Sequence, residues 1–228
     1  YAGSKGDEVA DYTHSYKLGT TTVKNTAFYF YDRWNDANTD KVRDAGEVTI
    51  VRASSALSDD AMVRSDSYKG KITAVDSTLL QSATYYSKLA KGEEVADYTY
   101  NYKLGTTTVK TTAKYLYAAT FLDASSTSVD EYTAMTKSVS YKDQGVVAAK
   151  LLSETYYTGI KGYEIADYSY NYKLGSATIK TTAKYLYGAS FLAASDASVD
   201  EYTQMTKSAS YKDQGVVAAK LLSETYYA

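Results

Sequence analysis

One stretch of sequence occurs three times along this chain, and that repetition limits the possible folds more than any other feature. Residues 91–117 read KGEEVADYTYNYKLGTTTVKTTAKYLY, residues 161–187 read KGYEIADYSYNYKLGSATIKTTAKYLY, and residues 5–31 read KGDEVADYTHSYKLGTTTVKNTAFYFY. The match extends well beyond the stretch. Residues 91–158 and 161–228 align without a gap and differ at 14 of 68 positions, most of them conservatively. The first copy, 5–90, agrees at both ends and carries about 15 extra residues in its middle. A chain built this way is a row of similar supersecondary units. The expected division is a divergent first repeat at 1–90, a second at 91–160 and a third at 161–228. Terminal repeats are commonly atypical, which suits the first as a cap.

Each repeat divides again. Tyr102-Lys-Leu-Gly105 leads into TTTVKTTAKYLY, and Tyr141-Lys-Asp-Gln-Gly145 leads into VVAAKLLSETYY. Both halves are a strand ending in Tyr, a short turn with Gly, and a strand closing on Tyr. Glycine supplies the positive φ that tight hairpin connections need. The period is two residues. Ala96, Tyr98, Tyr100, Tyr102 and Leu104 alternate with Asp97, Thr99, Asn101 and Lys103, and Val109, Thr111, Ala113, Tyr115 and Tyr117 alternate with Lys110, Thr112 and Lys114. That alternation predicts strands. The expected fold is all-β: tandem antiparallel β-hairpin repeats, about twelve strands in all, forming an extended or wound sheet or a sandwich.

Further expectations follow from this pattern. Tyrosines facing each other across a hairpin form cross-strand pairs, each contributing roughly 0.2–1 kcal/mol. The segment 146–152, VVAAKLL, reads as a more buried strand or a short helical turn. Segments 121–132 and 191–202 read as connecting loops. Without proline anywhere, either regularly spaced lysines (110, 114, 137, 142, 150) guard the sheet edges or the edges are left open for pairing with another chain.

Composition narrows the function. The chain has 27 Tyr against 4 Phe and 1 Trp, with neither Cys nor Pro. A net charge of −2 and no basic cluster argue against nucleic acid as a partner. No apolar run is long enough for a helical membrane span. The chain begins without Met or a signal segment, which points to a mature chain or a fragment. Lack of cysteine removes thiolate catalysis and thiolate metal sites. The single histidine, His14, holds the place of Tyr100 and Tyr170, so it is a replaced aromatic rather than an acid–base group. No Ser-His-Asp or Cys-His triad can be assembled around it. The paired carboxylates Glu93-Glu94, Asp130-Glu131 and Asp200-Glu201 point to opposite faces when on strands. The chain therefore reads as non-enzymatic.

Two motifs remain. In the insert NDANTDKVRDAGE (35–47), Asp36, Asn38, Asp40, Val42, Asp44 and Glu47 occupy relative positions 1, 3, 5, 7, 9 and 12. That spacing gathers five side chains and one backbone carbonyl around a hard cation, with Glu47 able to bind bidentately. The insert resembles EF-hand-like calcium loops such as those of dockerins and of bacterial surface-protein B-type repeats. That resemblance implies Ca²⁺ as a cofactor of the first repeat. Position 6, usually Gly, is Lys41, at a cost of roughly 1–2 kcal/mol in a left-handed conformation. The second motif is the tyrosine rows, Tyr98, Tyr100, Tyr102, Tyr115, Tyr117, Tyr168, Tyr170 and Tyr172. Rows of this kind pack a thin sheet, bind glycans by stacking, or form the aromatic girdle of an outer-membrane β-barrel. The Tyr–turn–Gly–strand–Tyr scheme resembles the tyrosine-rich YD hairpin repeats of Rhs-type shell proteins, though the Tyr-Asp dipeptide is absent at these turns.

The functional expectation is a structural repeat protein, secreted or on the cell surface. It self-associates as a homo-oligomer or polymer into a fibre, coat or adhesive stalk. The alternatives are a carbohydrate- or surface-binding module and an outer-membrane barrel.

Overall fold

A computed structural model describes every residue of the chain except 6, 37–38, 40–45, 47, 88–89 and 228. The described residues fold into antiparallel strands with three short 3-10 turns and no α-helix. The chain packs as two compact units, Tyr1–Lys110 and Thr111–Ala228. The division falls inside a strand of the second repeat, not at a repeat boundary.

The first unit holds β1 (Tyr12–Tyr16), β2 (Val23–Trp34), β3 (Val48–Arg52), β4 (Ala61–Lys69), β5 (Leu80–Ser87) and β6 (Val95–Tyr102). Its sheet runs β1-β2-β4-β5-β6, with β3 on β2. The second unit holds β7 (Val109–Tyr117), β8 (Leu122–Asp123), β9 (Met135–Lys142), β10 (Leu151–Thr158), β11 (Ile165–Tyr172), β12 (Ile179–Tyr187), β13 (Leu192–Ala193), β14 (Met205–Lys212) and β15 (Leu221–Tyr226). Its sheet runs β7-β9-β10-β11-β12-β14-β15, with β8 on β7 and β13 on β12. Twelve strands thus carry the ladders, as the hairpin count predicts. Three more lie beside them: β3, which follows the insert, and the two-residue β8 and β13 inside the connecting segments.

Each repeat locks its turns with the same buried threonine. Thr112, 1% exposed, donates to the Asp143 carbonyl (2.8 Å) and accepts from the Gly145 amide (3.0 Å). Thr182 donates to the Asp213 carbonyl (2.7 Å), and Thr26 to the Gly70 carbonyl (2.8 Å). A hydroxyl is tolerated at these buried sites because its donor and acceptor capacities are both used. Between the second and third repeats the turn is set by glycine. Gly159 has φ +115°, and a Cβ there would stand 2.3 Å from the Tyr163 carbonyl oxygen; Gly3 has the same geometry. Only glycine fits such an approach.

The segment 146–152 divides between the two expected readings. Ala148–Lys150 forms a 3-10 turn and Leu151 begins β10. Val146 and Val147 are exposed, so this is not a more buried strand. The core of the first unit is the more aromatic, with Phe28, Phe30 and Tyr68 in one cluster and Val9, Tyr31 and Ala53 in another. Two of these lysines are engaged in ion pairs. Lys137 on the interior strand β9 pairs with Glu154, and Lys114 pairs with Asp123 at 2.9 Å. The edge strands β1 and β15 contain no lysine.

Candidate functional site

The feature that recurs with most chemistry is the joint between one repeat's last strand and the next repeat's first. In the second unit this joint is β10 against β11, with Glu154 opposite Tyr170, Thr155 opposite Ser169 and Tyr156 opposite Tyr168. The rings of Tyr156 and Tyr168 stack at 4.6 Å, 16° from parallel, with Tyr170 edge-on to Tyr156 at 5.7 Å. On the other face the Thr155 and Ser169 hydroxyls meet at 2.8 Å. In the first unit β5 and β6 repeat the arrangement. Tyr85 stacks on Tyr98 at 4.7 Å, Tyr100 is edge-on to Tyr85, and Thr84 meets Thr99 at 2.8 Å.

These pairs overturn the expectation of tyrosines facing each other across a hairpin. In the hairpin β11–β12, Tyr168 stands opposite Lys184 and Tyr170 opposite Thr182, while Tyr185 bonds Ser169 on the other face at 2.9 Å. The return strand's register places its tyrosines on the opposite side of the sheet. The stacking partner comes instead from the preceding strand.

A charged group anchors the joint. Glu154 pairs with Lys137 and accepts from the hydroxyls of Tyr156 (3.0 Å) and Tyr172 (2.6 Å). Burial alone would raise its pKa, but the hydrogen bonds from Lys137 and Tyr172 outweigh it, and the carboxyl ionises below its usual range. The phenols shift the other way. Burial, then the adjacent tyrosines, push Tyr98 and Tyr168 up to about 12. Burial first, then Glu154 itself, likewise raises the donor phenols of Tyr156 and Tyr172, so they stay protonated at neutral pH as donors to a carboxylate must be.

In the first unit the corresponding acid is Asp66 on β4. It lies 3.1 Å from Arg64 Nε, off the axis of a hydrogen bond, and accepts from Tyr68 at 3.3 Å. Burial outweighs Arg64 there, so its pKa is raised.

The tyrosines singled out from sequence occupy different settings. Tyr98, Tyr100 and Tyr102 line the joint of the first unit, and Tyr168, Tyr170 and Tyr172 that of the second, all half-buried. Tyr115 is half-buried, and Tyr117 is 2% exposed. Tyr168, Tyr170, Thr182, Lys184 and Gly215 also line an open groove of about 400 Å³. Glu154, Tyr156 and Tyr85 escaped the sequence reading, and Lys137 enters it only as an edge guard. Their recurrence as Lys207, Glu224 and Tyr226 was the available signal.

Of the six proposed calcium ligands, only Asp36 is among the described residues; Asn38, Asp40, Val42, Asp44 and Glu47 lie outside them, as does Lys41. The insert connects β2 to β3, and Trp34 opposite Val48 closes the loop at its base. Among the described residues there is no cluster of three or more His, Cys, Asp or Glu that could hold a metal.

Fold and joint together define an all-β protein of tandem hairpin repeats. No protein-family model, characterised protein or solved structure matches the chain. None of its described helical turns is long and apolar enough to cross a membrane.

Proposed function

We propose that this is a non-enzymatic structural repeat protein that associates with itself into a fibre, coat or adhesive stalk, outside the cell or on its surface. One observation carries the reading: the same strand joint, a stacked tyrosine pair on one face and a hydroxyl pair on the other, is built twice by near-identical sequence. A chain whose joints are interchangeable has the means to extend beyond one copy. Electron microscopy of the purified chain tests this directly. Ordered polymers are expected; a strictly monomeric chain at high concentration would sink the proposal.

Calcium belongs to this reading as a stiffener of the 36–47 loop, held by Asp36, Asn38, Asp40, Asp44, Glu47 and the Val42 carbonyl. Adding EDTA should then lower the melting temperature. An unchanged melt removes the metal.

A second reading, a glycan-binding face, is favoured by the groove beside Tyr168 and Tyr170, where rings, hydroxyls and the charges of Asp167 and Lys184 converge. A glycan array without a hit removes it.

A further inference from the structure

We propose that β15 of one copy pairs with β1 of a second copy, in the register of the internal β10–β11 joint, so that copies join head to tail. This rests on the structural reading above and names the surface that would carry it.

Among the described residues, β1 ends the strand order of the first unit beside β2 alone, and β15 ends that of the second beside β14 alone. Residues 221–226 repeat residues 151–156 letter for letter, as LLSETY. In β10 every residue of that sequence is half-buried; in β15 every one is exposed, Leu222 at 57% and Tyr226 at 60%. The sequence of β1, YTHSY, is the counterpart of Tyr168–Tyr172, and Tyr12 and Tyr16 are 50% and 56% exposed. The exposure that separates each edge from its internal twin is what the other edge would cover.

The contacts that remain to be made match. Glu224 already pairs with Lys207 at 2.5 Å and accepts from Tyr226 at 2.8 Å, as Glu154 does with Lys137 and Tyr156. The third donor to Glu154 is Tyr172, across the joint, and its counterpart is Tyr16. Thr13 already bonds Tyr29 at 3.0 Å, as Ser169 does Tyr185. The second partner of Ser169 is Thr155, whose counterpart is Thr225. Carried over residue by residue, the internal register sets Tyr226 against Tyr12, Thr225 against Thr13 and Glu224 against His14. His14, whose Nδ1 is already bonded to Thr26 at 3.0 Å, thus stands opposite the carboxylate where the internal joint has Tyr170.

Neither edge has the usual protection. The chain has no proline, and no lysine lies within β1 or β15. A bare strand edge with complementary side chains recruits another strand by main-chain hydrogen bonding. Because the two edges differ, the contact is heterologous and propagates unless the rotation closes a ring.

One local exchange is required. Tyr1-Ala2 holds the place that Tyr157-Thr158 holds beside β11, with Ala2 bridged to Val9 by bonds of 2.9 and 2.7 Å. The Tyr227 of an incoming copy is already seated like Tyr157, its hydroxyl 3.1 Å from Ser208. Tyr1, 90% exposed, is the residue to be displaced.

The chain lacks cysteine, so engineered thiols report the joint without background. Thr13→Cys and Thr225→Cys are made as separate proteins, mixed and mildly oxidised. A covalent dimer containing one of each is expected, because the internal twins of these side chains touch. Replacing Thr13→Cys by Ser15→Cys, two residues out of register, should cut the yield about tenfold. Deleting Tyr1-Ala2 should lower the concentration needed for assembly. Polymers that form with no cross-link, or equally with either cysteine, overturn this joint while leaving the structural reading intact. A chain that stays monomeric and uncross-linked overturns both.

Discussion

The acid at the joint sits on a different strand in each unit. In the second unit it is Glu154 on β10, opposite Val139 of β9. In the first it is Asp66 on β4, opposite Ala83 of β5. Asp66 corresponds to Val139, and Ala83 to Glu154, so acid and small apolar residue have changed places across one strand pair. The base stays put, as Arg64 in one and Lys137 in the other. What the site requires is one carboxylate within reach of that base; either strand of the pair can provide it. Surroundings then set the chemistry. The longer arm of Glu154 reaches a lysine and two phenols and stays ionised below the usual range. Asp66, shorter and more enclosed, has one long phenol contact and an arginine whose own plane lies over Phe30, 4.0 Å from the ring centroid. Its ionisation is disfavoured.

The largest effect expected from breaking this comparison is in the core beside the acid. Phe28, fully buried, corresponds to Lys184 of the third repeat, which pairs with Asp167 and is partly exposed. Phe28→Ala should destabilise the first unit by about 3–5 kcal/mol through cavity formation. Lys184→Ala should cost about 1 kcal/mol or less, as a partly solvated pair does. Urea denaturation followed by tyrosine fluorescence measures both, and equal losses would refute the difference between the units.

Next in size are the acids themselves. Glu154→Gln weakens one ion pair and two phenol contacts and should cost about 2 kcal/mol. Asp66→Asn should be neutral or stabilising at neutral pH, since it removes a charge that burial disfavours. A large loss in the Asp66 variant would show that Arg64 and Tyr68 satisfy it after all.

The pH dependence separates the two further. The folded-state pKa of Glu154 is depressed, so its contribution is present above the ordinary value of 4.5 and disappears as pH falls through the lowered one. That of Asp66 is raised, so its contribution is fully present below the ordinary 3.8 and disappears as pH rises through the raised value. Relative to the wild type, Glu154→Gln should therefore lose its disadvantage in acid, and Asp66→Asn its advantage. Slopes of the same sign in a denaturation series across acid and neutral pH would contradict this assignment.

The smallest effect is the most specific. Asp66→Val combined with Ala83→Glu rebuilds the second unit's arrangement inside the first. The double variant should be about 1 kcal/mol more stable than the single variants predict when summed. Strict additivity would mean that the exchange of places has no energetic basis.

Much of the architecture could be read in the chain. Repetition, two-residue alternation and glycine at the turns yield antiparallel hairpins and the twelve ladder strands, because those signals are local. The tyrosines were equally visible, but their partners were not. Whether Tyr168 meets Tyr185 or Tyr156 depends on register, and a shift of one residue moves a side chain to the other face of the sheet. Bulges such as that between Tyr156 and Tyr157 change the register within a strand. Glu154 was missed because a lone glutamate on a strand reads as solvent-facing until Lys137 and Tyr172 are brought around it from neighbouring strands.

The sequence by itself determined the unit of construction and its strands, since backbone preference and turn chemistry act over a few residues. Only the tertiary structure decided that the stacked tyrosines belong to the joint between repeats and that a half-buried carboxylate anchors it. It also decided that the same LLSETY is half-buried in β10 and exposed in β15. Those outcomes depend on which strand lies alongside, and a strand's own residues do not specify its neighbour.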